Sequence, residues 1–182
     1  MIKISNLTVK FDKTVINNLD INFPLKGVFC IYAPSGTGKT TLLNAIAGLV
    51  RFSGNIEING KISYLFQEDR LLNWLSAKEN IMIVEPSDEK VKKYSDLFGV
   101  NEFINEMPPN LSGGMKRRVA LVRTLAYNTD IYLLDEPFKG LDESNVEKVY
   151  EAIKEISENK LVLVVTHNEQ DAVKLNAEKI LL

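Results

Sequence analysis

A glycine-rich segment at residues 33–41 has the residue types that bind phosphate. It reads Ala-Pro-Ser-Gly-Thr-Gly-Lys-Thr-Thr and matches the phosphate-loop pattern G-x-x-x-x-G-K-[ST], except that Ala33 replaces the first glycine. Backbone N–H groups of such a loop converge on phosphate oxygens, and the helix that follows presents its positive end. We expect Lys39 to reach the β- and γ-phosphates of a nucleotide and the Thr40 hydroxyl to bind Mg²⁺. The predicted phosphate-binding residues are Ser35, Gly36, Thr37, Gly38, Lys39, Thr40 and Thr41.

Two adjacent carboxylates follow a continuously apolar segment, residues 131–134. Ligands of a parallel sheet lie at the carboxyl ends of its strands, so Asp135 is expected near the phosphate loop, where it would hold Mg²⁺. Glu136, beside it, would polarise a water molecule for in-line attack. The alternative interpretation is that the two acids open a turn before Pro137 and bind nothing.

A Leu-Ser-Gly-Gly segment at residues 111–114 opens a predicted helix. The Ser112 hydroxyl and the free amide groups of Gly113 and Gly114 could form a second anion site. Equally, Ser112 could be an ordinary N-cap, with the glycines serving as a loop. The residues by themselves leave both interpretations open.

The elements that must position these motifs follow from the hydrophobic pattern. Continuous apolar runs are typical of strands that are buried on both faces, and they alternate here with segments of helical periodicity. This order predicts an α/β fold with a mostly parallel sheet and helices on both faces. The apolar runs are 28–32, 131–134, 161–165 and a last one beginning at 180, and the helical segments are 42–50, 115–126 and 146–156.

Shorter segments show the alternation of half-buried strands. Residues 7–11 and 19–23 alternate apolar and polar side chains. Residues 51–66 predict one hairpin, because Asn59-Gly60, a dipeptide typical of tight turns, separates two brief alternating pieces. Further along, Ser87 is predicted to cap a helix.

Composition excludes several classes of protein. The chain has 182 residues, of which 45% are hydrophobic and 25% charged, as in an ordinary globular domain. The net charge of −2 is not that of a typical nucleic-acid binder, so no nucleic-acid partner is expected. The longest apolar run, 28–33, is far shorter than the ~20 residues of a membrane-spanning helix. The single cysteine, Cys30, and the lack of a secretory signal favour a cytoplasmic setting.

In combination, the motifs resemble those of the ATP-binding subunit of ABC (ATP-binding cassette) transporters. The resemblance spans nearly the whole chain and implies a phosphate-loop NTPase core with a reduced antiparallel N-terminal β part and an inserted small helical subdomain. It divides a single domain, 1–182, into a nucleotide-binding core (1–67 and 116–182) and a helical unit (68–115). The motifs that carry it, in chain order, are the phosphate loop, Gln67, Leu-Ser-Gly-Gly at 111–114, Asp135-Glu136-Pro137, Gly140-Leu141-Asp142 and His167.

The resemblance also implies roles for individual residues. Phe11 would stack on adenine, His167 would contact the γ-phosphate, and Asp142 would face a second subunit. Gln67 would join the site to a transmembrane partner and approach Mg²⁺. The implied catalytic residues are Glu136, His167, Lys39 and Gln67. The implied Mg²⁺ ligands are Thr40, Gln67 and Asp135, and Ser112, Gly113 and Gly114 would contact ATP held by the partner subunit.

The segments 65–68 and 71–75 resemble those of bacterial importers of nitrate, taurine and aliphatic sulfonates. The resemblance implies Mg²⁺ and ATP as cofactors and a dimer of subunits around ATP. It also implies separate integral-membrane permease subunits, a solute-binding protein and a location on the inner face of the cell membrane. Leu71, Leu72, Trp74 and Leu75 would either receive a helix of the permease or form a small core.

Three other functions are compatible with parts of the pattern. A small kinase on the same phosphate-loop core would transfer phosphate to an acceptor. A non-transport ABC ATPase or a catalytically weak binding module would share the nucleotide site. Release of free phosphate from ATP without an acceptor distinguishes the ATPase from the kinase.

Overall fold

The computed structural model describes residues 1–32 and 36–182. The α/β class predicted from the sequence is confirmed. The strands are β1 (Ile2–Lys10), β2 (Thr14–Phe23), β3 (Gly27–Tyr32), β4 (Ser53–Ile58), β5 (Ile62–Leu65), β6 (Ile131–Asp135), β7 (Leu161–Val165) and β8 (Glu178–Leu181). The helices are α1 (Lys39–Ile46), α2 (Ala77–Met82), α3 (Asp88–Leu97), α4 (Gly113–Ala126), α5 (Glu143–Ser157) and α6 (Glu169–Leu175), with short 3₁₀ turns at Val100–Phe103 and Pro108–Asn110.

The larger sheet is parallel and has the order β5-β6-β7-β3-β8. Its central strands β6 and β7 are buried along their whole length, which explains why they are continuously apolar. All five strands run the same way, so the ends of β3, β6 and β7 meet at one edge. The residues that follow those strands are the phosphate loop, Glu136 and His167.

The smaller sheet is antiparallel, has three strands in the order β2-β1-β4 and lies over one face of the parallel sheet. Alternate residues of β1 point inward, and Ile2, Ile4, Leu7 and Val9 are all buried. The half-buried alternation that the sequence predicted for residues 7–11 is confirmed for Leu7 and Val9, whereas Phe11 lies beyond the end of β1 and is exposed.

The hairpin predicted within residues 51–66 is wrong. Strand β4 pairs with β1, with Ile58 opposite Ile2, whereas β5 pairs in parallel with β6 in the other sheet. The chain crosses between sheets at residues 59–61, where the Lys61 amide donates to Asp130 Oδ2 at 3.1 Å. Gly60 has φ +125°, and a Cβ there would lie 2.7 Å from the Asp130 Cβ. The glycine therefore permits a close approach between sheets rather than a tight hairpin turn.

The parallel sheet separates two hydrophobic cores. On β6, Tyr132 and Leu134 face α4 and α5, while Ile131 and Leu133 face α1 and the antiparallel sheet. Successive side chains of a strand point to opposite faces, so one continuously apolar strand contributes to both cores.

The regular structure between β5 and α4 is helical. The short helix α2, which the sequence interpretation missed, begins at a capping box: the Ser76 hydroxyl and the Glu79 carboxylate each bond the other residue's backbone amide. Ser87 is the N-cap of α3, as predicted, although its side chain makes no capping hydrogen bond. Within the described residues, none of the helices has the length and apolar character needed to cross a membrane.

Candidate active site

A cavity of about 430 Å³ lies at the carboxyl-end edge of the parallel sheet. It brings together most of the predicted site residues, although they are far apart in the sequence. Its lining consists of Phe11, Val15, Gly36, Gly38, Lys39, Thr40, Thr41, Gln67, Asp135, Glu136, Val165 and His167. Ser35, which was also predicted to bind phosphate, lies outside the described residues, and Thr37 is described but is not part of the lining.

The start of α1 supplies positive potential to the cavity. Gly38 is the N-cap and has φ +102°, and a Cβ there would lie 2.8 Å from Val15 Cγ1, so a side chain is excluded. The first turn of α1 carries no acidic residue to offset the helix dipole. Lys39, only 5% exposed, adds a full positive charge at the same place. This corner of the cavity therefore favours an anion.

Asp135 ends strand β6 and points its carboxylate into the site. The residue is 1% exposed, and neither carboxylate oxygen has a regular hydrogen-bond partner in the described part of the chain. Burial raises the pKa of this carboxyl, against the opposing effects of the nearby Thr40 hydroxyl and the Arg117 guanidinium. A buried carboxylate is costly unless positive charge offsets it, and a bound cation would add to the charges of Lys39 and Arg117 nearby.

This corner of the site fits Mg²⁺. Mg²⁺ is commonly bound through one or two protein oxygens together with substrate phosphates. The unpartnered oxygens of Asp135 and the hydroxyl of Thr40 match that donor set. Within residues 1–32 and 36–182, no cluster of three or more His, Cys, Asp or Glu side chains could hold a metal without such help.

Glu136 sits in a strained turn beside Asp135. Its φ of +50° lies in the left-handed region that residues with a side chain rarely adopt, and its amide donates to the Val165 carbonyl at 2.9 Å. Burial raises the pKa of the Glu136 carboxyl, while His167 lowers it. His167 Nε2 lies 3.0 Å from Glu136 Oε1, yet that oxygen accepts no regular hydrogen bond from the described residues. The pair faces the cavity, and the His167 side chain is 55% exposed and accessible to a ligand.

The loop that carries His167 is held by a buried polar network. Asp171, which is 2% exposed, accepts hydrogen bonds from the hydroxyls of Tyr150, at 2.6 Å, and Thr166. The Tyr32 hydroxyl donates to the Asn168 carbonyl at 2.9 Å. These contacts attach the loop to β3 and α5. The sequence interpretation missed Asp171, because its partners come from other elements.

Gln67 reaches the cavity from the segment after β5. The neighbouring Phe66 ring stacks on Tyr64, with centroids 4.0 Å apart, and the Arg70 guanidinium lies 3.7 Å from the centroid of the Phe66 ring. These contacts hold the backbone on both sides of Gln67. Phe11, 56% exposed, lies at the rim just after β1 and leaves an aromatic face open to a ligand.

The Leu-Ser-Gly-Gly segment does not line this cavity. Ser112 is the N-cap of α4, where its hydroxyl accepts a hydrogen bond from the Met115 amide at 3.3 Å. The capping role considered from the sequence is therefore confirmed. Gly113 has no heavy atom within 4 Å of the place where its Cβ would be, so the start of α4 is open on that side.

Arg117 is a second site residue that the sequence interpretation missed. Its guanidinium donates to the backbone carbonyls of both Asp135 and Glu136. One signal was available: Arg117 stands one and two helical turns before Leu121 and Thr124, which are buried on the same face of α4. A charged residue on an otherwise buried face needs partners in the interior.

Comparison with known proteins identifies the family. A sequence profile described as ABC transporter matches residues 16–139, more than half of the chain. The aliphatic sulfonates import ATP-binding protein SsuB 2 of Pseudomonas syringae pv. tomato is 35% identical over 170 residues, covering 90% of this chain and 73% of that protein. The taurine import ATP-binding protein TauB of Rhizobium johnstonii is 32% identical, covering 100% of this chain and 79% of that protein.

Solved structures agree with the sequence comparison. The dimeric bacterial ABC transporter cassette MJ0796 is 29% identical, with a TM-score of 0.90 over 100% of this chain and 94% of that one. The same cassette in a dimeric post-hydrolysis state with ADP and Pi gives a TM-score of 0.84 at 30% identity. The chain therefore belongs to the ABC transporter family, in which it is an ATP-binding and ATP-hydrolysing subunit.

Proposed function

We propose that the cavity at the edge of the parallel sheet binds Mg·ATP and hydrolyses it to ADP and phosphate. The observation that carries the proposal is the pair of adjacent carboxylates, buried Asp135 and half-buried Glu136, which line the same cavity as Lys39 and the start of α1. One carboxylate has oxygens without partners, and the other faces open space. This arrangement suits a ligand that brings both a cation and an electrophilic phosphorus atom.

The nucleotide is placed with its phosphates at the amino end of α1. Lys39 contacts the β- and γ-phosphates, and backbone amides of residues 35–38 and the hydroxyl of Thr41 complete the cradle. Phe11 stacks on the adenine ring, for which its exposed aromatic face is suited. Thr40, Asp135 and Gln67 would hold Mg²⁺, which would supply positive charge to the phosphates.

Hydrolysis is assigned to Glu136 and His167. Glu136 accepts a proton from a water molecule as the water oxygen attacks the γ-phosphorus and the bond to the bridging oxygen breaks. Burial raises the pKa of Glu136, which makes it a better proton acceptor than an exposed carboxylate. His167, 3.0 Å from that carboxylate, is close enough to contact the γ-phosphate in the same cavity.

Ser112, Gly113 and Gly114 are assigned to the ATP of a second subunit. They open α4 away from this chain's own cavity, and the start of that helix carries no acidic residue. A head-to-tail dimer would place this positive helix start against the γ-phosphate of the partner's ATP, while Asp142 faces the partner. ATP would then be part of the interface, and hydrolysis would weaken it.

The solute-transport role assigned here is import through a separate permease. The relatives compared above are import ATP-binding proteins, which favours this assignment. The same proposal includes a solute-binding protein in the full system and a location on the inner face of the cell membrane. A groove of about 640 Å³ between β5, the segment that follows α2 and the end of α4 is the proposed docking place for the permease. It is lined by Phe66, Leu72 and Ile83 among others, and it shares the segment after β5 with the ATP cavity. Residues 68–115 form the proposed helical unit, and 1–67 with 116–182 the proposed core.

Glu136→Gln tests the catalytic assignment. The amide keeps the size of the side chain but cannot take the proton, so we expect ATP binding to remain and release of free phosphate to fall about 10²–10⁴-fold. Lys39→Ala should instead lower ATP affinity, measured by calorimetry. In sedimentation, Glu136→Gln should form dimers with Mg·ATP and not with ADP. Turnover close to that of the unaltered protein in Glu136→Gln would disprove the role of Glu136.

Ile83→Asp tests the permease groove. Ile83 is 53% exposed, so the charge should be tolerated by the fold, and basal ATP hydrolysis should stay unchanged. Stimulation of hydrolysis by the co-purified permease should be lost. Leu49→Asp, at a side chain 55% exposed and outside the groove lining, is the matched control and should keep that stimulation. Equal stimulation in both variants would place the permease elsewhere.

A further inference from the structure

The guanidinium of Arg117 connects three parts of the molecule from within the interior. Arg117 is 3% exposed. One terminal nitrogen donates to the Phe66 carbonyl at 2.8 Å and to Asp69 Oδ1 at 3.2 Å. The other donates to the carbonyls of Asp135 at 2.9 Å and Glu136 at 2.6 Å. A single side chain of α4 thus holds both the turn after β6 and the segment on either side of Gln67.

The conformation of Glu136 explains what these hydrogen bonds do. At φ +50° its backbone is in a region that a side-chain-bearing residue adopts only when its surroundings hold it there. The Glu136 amide is held by the Val165 carbonyl, and the Glu136 carbonyl receives a bond from Arg117 that is shorter than the 3.2 Å bond from the Lys139 amide. Both ends of the strained residue are therefore fixed, and the direction of its side chain follows from them.

Burying the charged guanidinium of Arg117 costs free energy. Burial lowers the pKa of the guanidinium, while Asp69, Asp135 and Glu136 oppose that effect. The Nε atom is left without a hydrogen-bond partner in the described part of the chain. The gain is geometric, since a planar guanidinium with donors on both terminal nitrogens can hold two backbone segments at a set distance and angle.

We propose that Arg117 is a positioning residue for hydrolysis: it clamps the Asp135–Glu136 turn to the Phe66–Asp69 segment and so aims the Glu136 carboxylate at the attacking water. The inference rests on the proposed function of Glu136 as the proton acceptor. Arg117 itself touches neither nucleotide nor water in this assignment. It acts through the backbone of Glu136, and it connects that backbone to the segment shared by the ATP cavity and the groove proposed for the permease.

Arg117→Lys separates geometry from charge. A lysine keeps the positive charge but has a single ammonium group, so it cannot hold both segments. We expect kcat for ATP hydrolysis to fall on the order of 10–100-fold, the effect of moving a reacting group by about 1 Å. The KM for ATP should change less than about threefold, because binding does not use Glu136.

Arg118→Lys is the matched control. Arg118 is the next residue of the same helix, and its guanidinium donates to the Phe98 carbonyl at 2.8 Å and lies 4.8 Å from the Phe103 ring, away from the cavity. The same chemical change there should leave kcat unchanged. An equal loss of kcat in both variants would overturn the proposal, as would a higher KM with an unchanged kcat in Arg117→Lys.

A double-variant cycle in Glu136→Gln distinguishes positioning from general damage. If Arg117 acts through Glu136, Arg117→Lys should cause no further loss of the residual single-turnover rate once the carboxylate is gone. A further loss of the same size in that background would refute the proposal. If Glu136→Gln alone retains full turnover, the proposed role of Glu136 is wrong. That outcome is distinct from a failure of the proposal for Arg117.

Asp69→Asn is the alternative test of the positioning role of Arg117 if the Arg117→Lys protein does not fold. Asp69 accepts only one of the four hydrogen bonds that Arg117 donates, and its own side chain is 25% exposed, so the effect of removing its charge is milder. We expect kcat to fall in the same direction by a smaller factor, with KM again within about threefold, and no additional effect in the Glu136→Gln background. A folded Asp69→Asn protein with an unchanged kcat would then contradict the proposal.

Discussion

The charge of Asp135 should destabilise the free protein, and removing it should raise the melting temperature. The carboxylate is 1% exposed, and its oxygens make no regular hydrogen bond among the described residues, although the Thr40 hydroxyl is near enough to oppose the rise in its pKa. Leaving a buried polar group unsatisfied costs about 1–3 kcal/mol, and more for a charge. Asp135→Asn keeps the shape and removes the charge, so the free energy of unfolding should rise by about 1–3 kcal/mol. For a chain of this length each kcal/mol shifts the melting temperature by about 2–4 °C.

The pH dependence of this difference has a definite sign. Burial raises the folded-state pKa of Asp135 above its ordinary value of 3.8. A group with a raised folded-state pKa contributes its stability below the ordinary pKa and loses that contribution as pH rises through the folded value. The asparagine variant does not titrate at this position. The two proteins should therefore melt most alike below pH 3.8, and the advantage of the variant should grow as the pH rises through the folded-state pKa of Asp135.

Thermal melts with and without Mg·ATP provide the assay. A ligand at about 100 times its Kd stabilises the folded state by about 2.7 kcal/mol. The unaltered protein should gain this stability, whereas Asp135→Asn should gain much less, so Mg·ATP should remove most or all of the difference between the two melting temperatures. Asp12→Asn, the same change at an exposed side chain, is the control and should shift stability by less than about 0.5 kcal/mol. A free Asp135→Asn protein that melts at or below the unaltered protein would refute the reasoning.

Two other predictions follow from buried titratable groups. Glu136 must be unprotonated to accept a proton and burial raises its pKa, so ATP turnover should fall on the acid side at a pH above the ordinary carboxyl range. A pH–rate profile measured under saturating Mg·ATP checks this, and an acid limb at the pKa of an exposed glutamate would contradict it. Burial also raises the pKa of the Cys30 thiol to about 12, so iodoacetamide should label Cys30 only in denaturant. Rapid labelling of the folded protein, followed by mass spectrometry, would count against the buried position.

Much of the chemistry was predictable from the sequence because it depends on residues close together in the chain. A strand, a glycine-rich loop and a helix start are contiguous, so the phosphate loop and Lys39 could be assigned from spacing. Asp135 and Glu136 directly follow an apolar strand, and the ends of parallel strands meet at one edge of a sheet. The cavity contains Lys39, Thr40, Asp135, Glu136 and His167, as these local patterns indicated.

The same local patterns failed where the partner of a segment is distant. Asn59-Gly60 lies where β4 ends and the chain bends, but a dipeptide does not determine which strand follows or which sheet it joins. The partner of β4 is β1 and that of β5 is β6, and both pairings join residues that are distant in the sequence, such as Ile2 with Ile58 and Ile62 with Ile131. Hydrophobic periodicity reports which face of a segment is buried and carries no information about what buries it.

The sequence by itself therefore determined the types of group at the site and the strands and helices that carry them. Only the tertiary structure decided the strand order β5-β6-β7-β3-β8, the burial that leaves Asp135 without partners and the 3.0 Å approach of His167 to Glu136. It also decided the role of Arg117, which from its sequence is one of three adjacent basic residues. Burial and hydrogen-bond partnership depend on which distant segments pack together, and that packing is set by the whole chain at once.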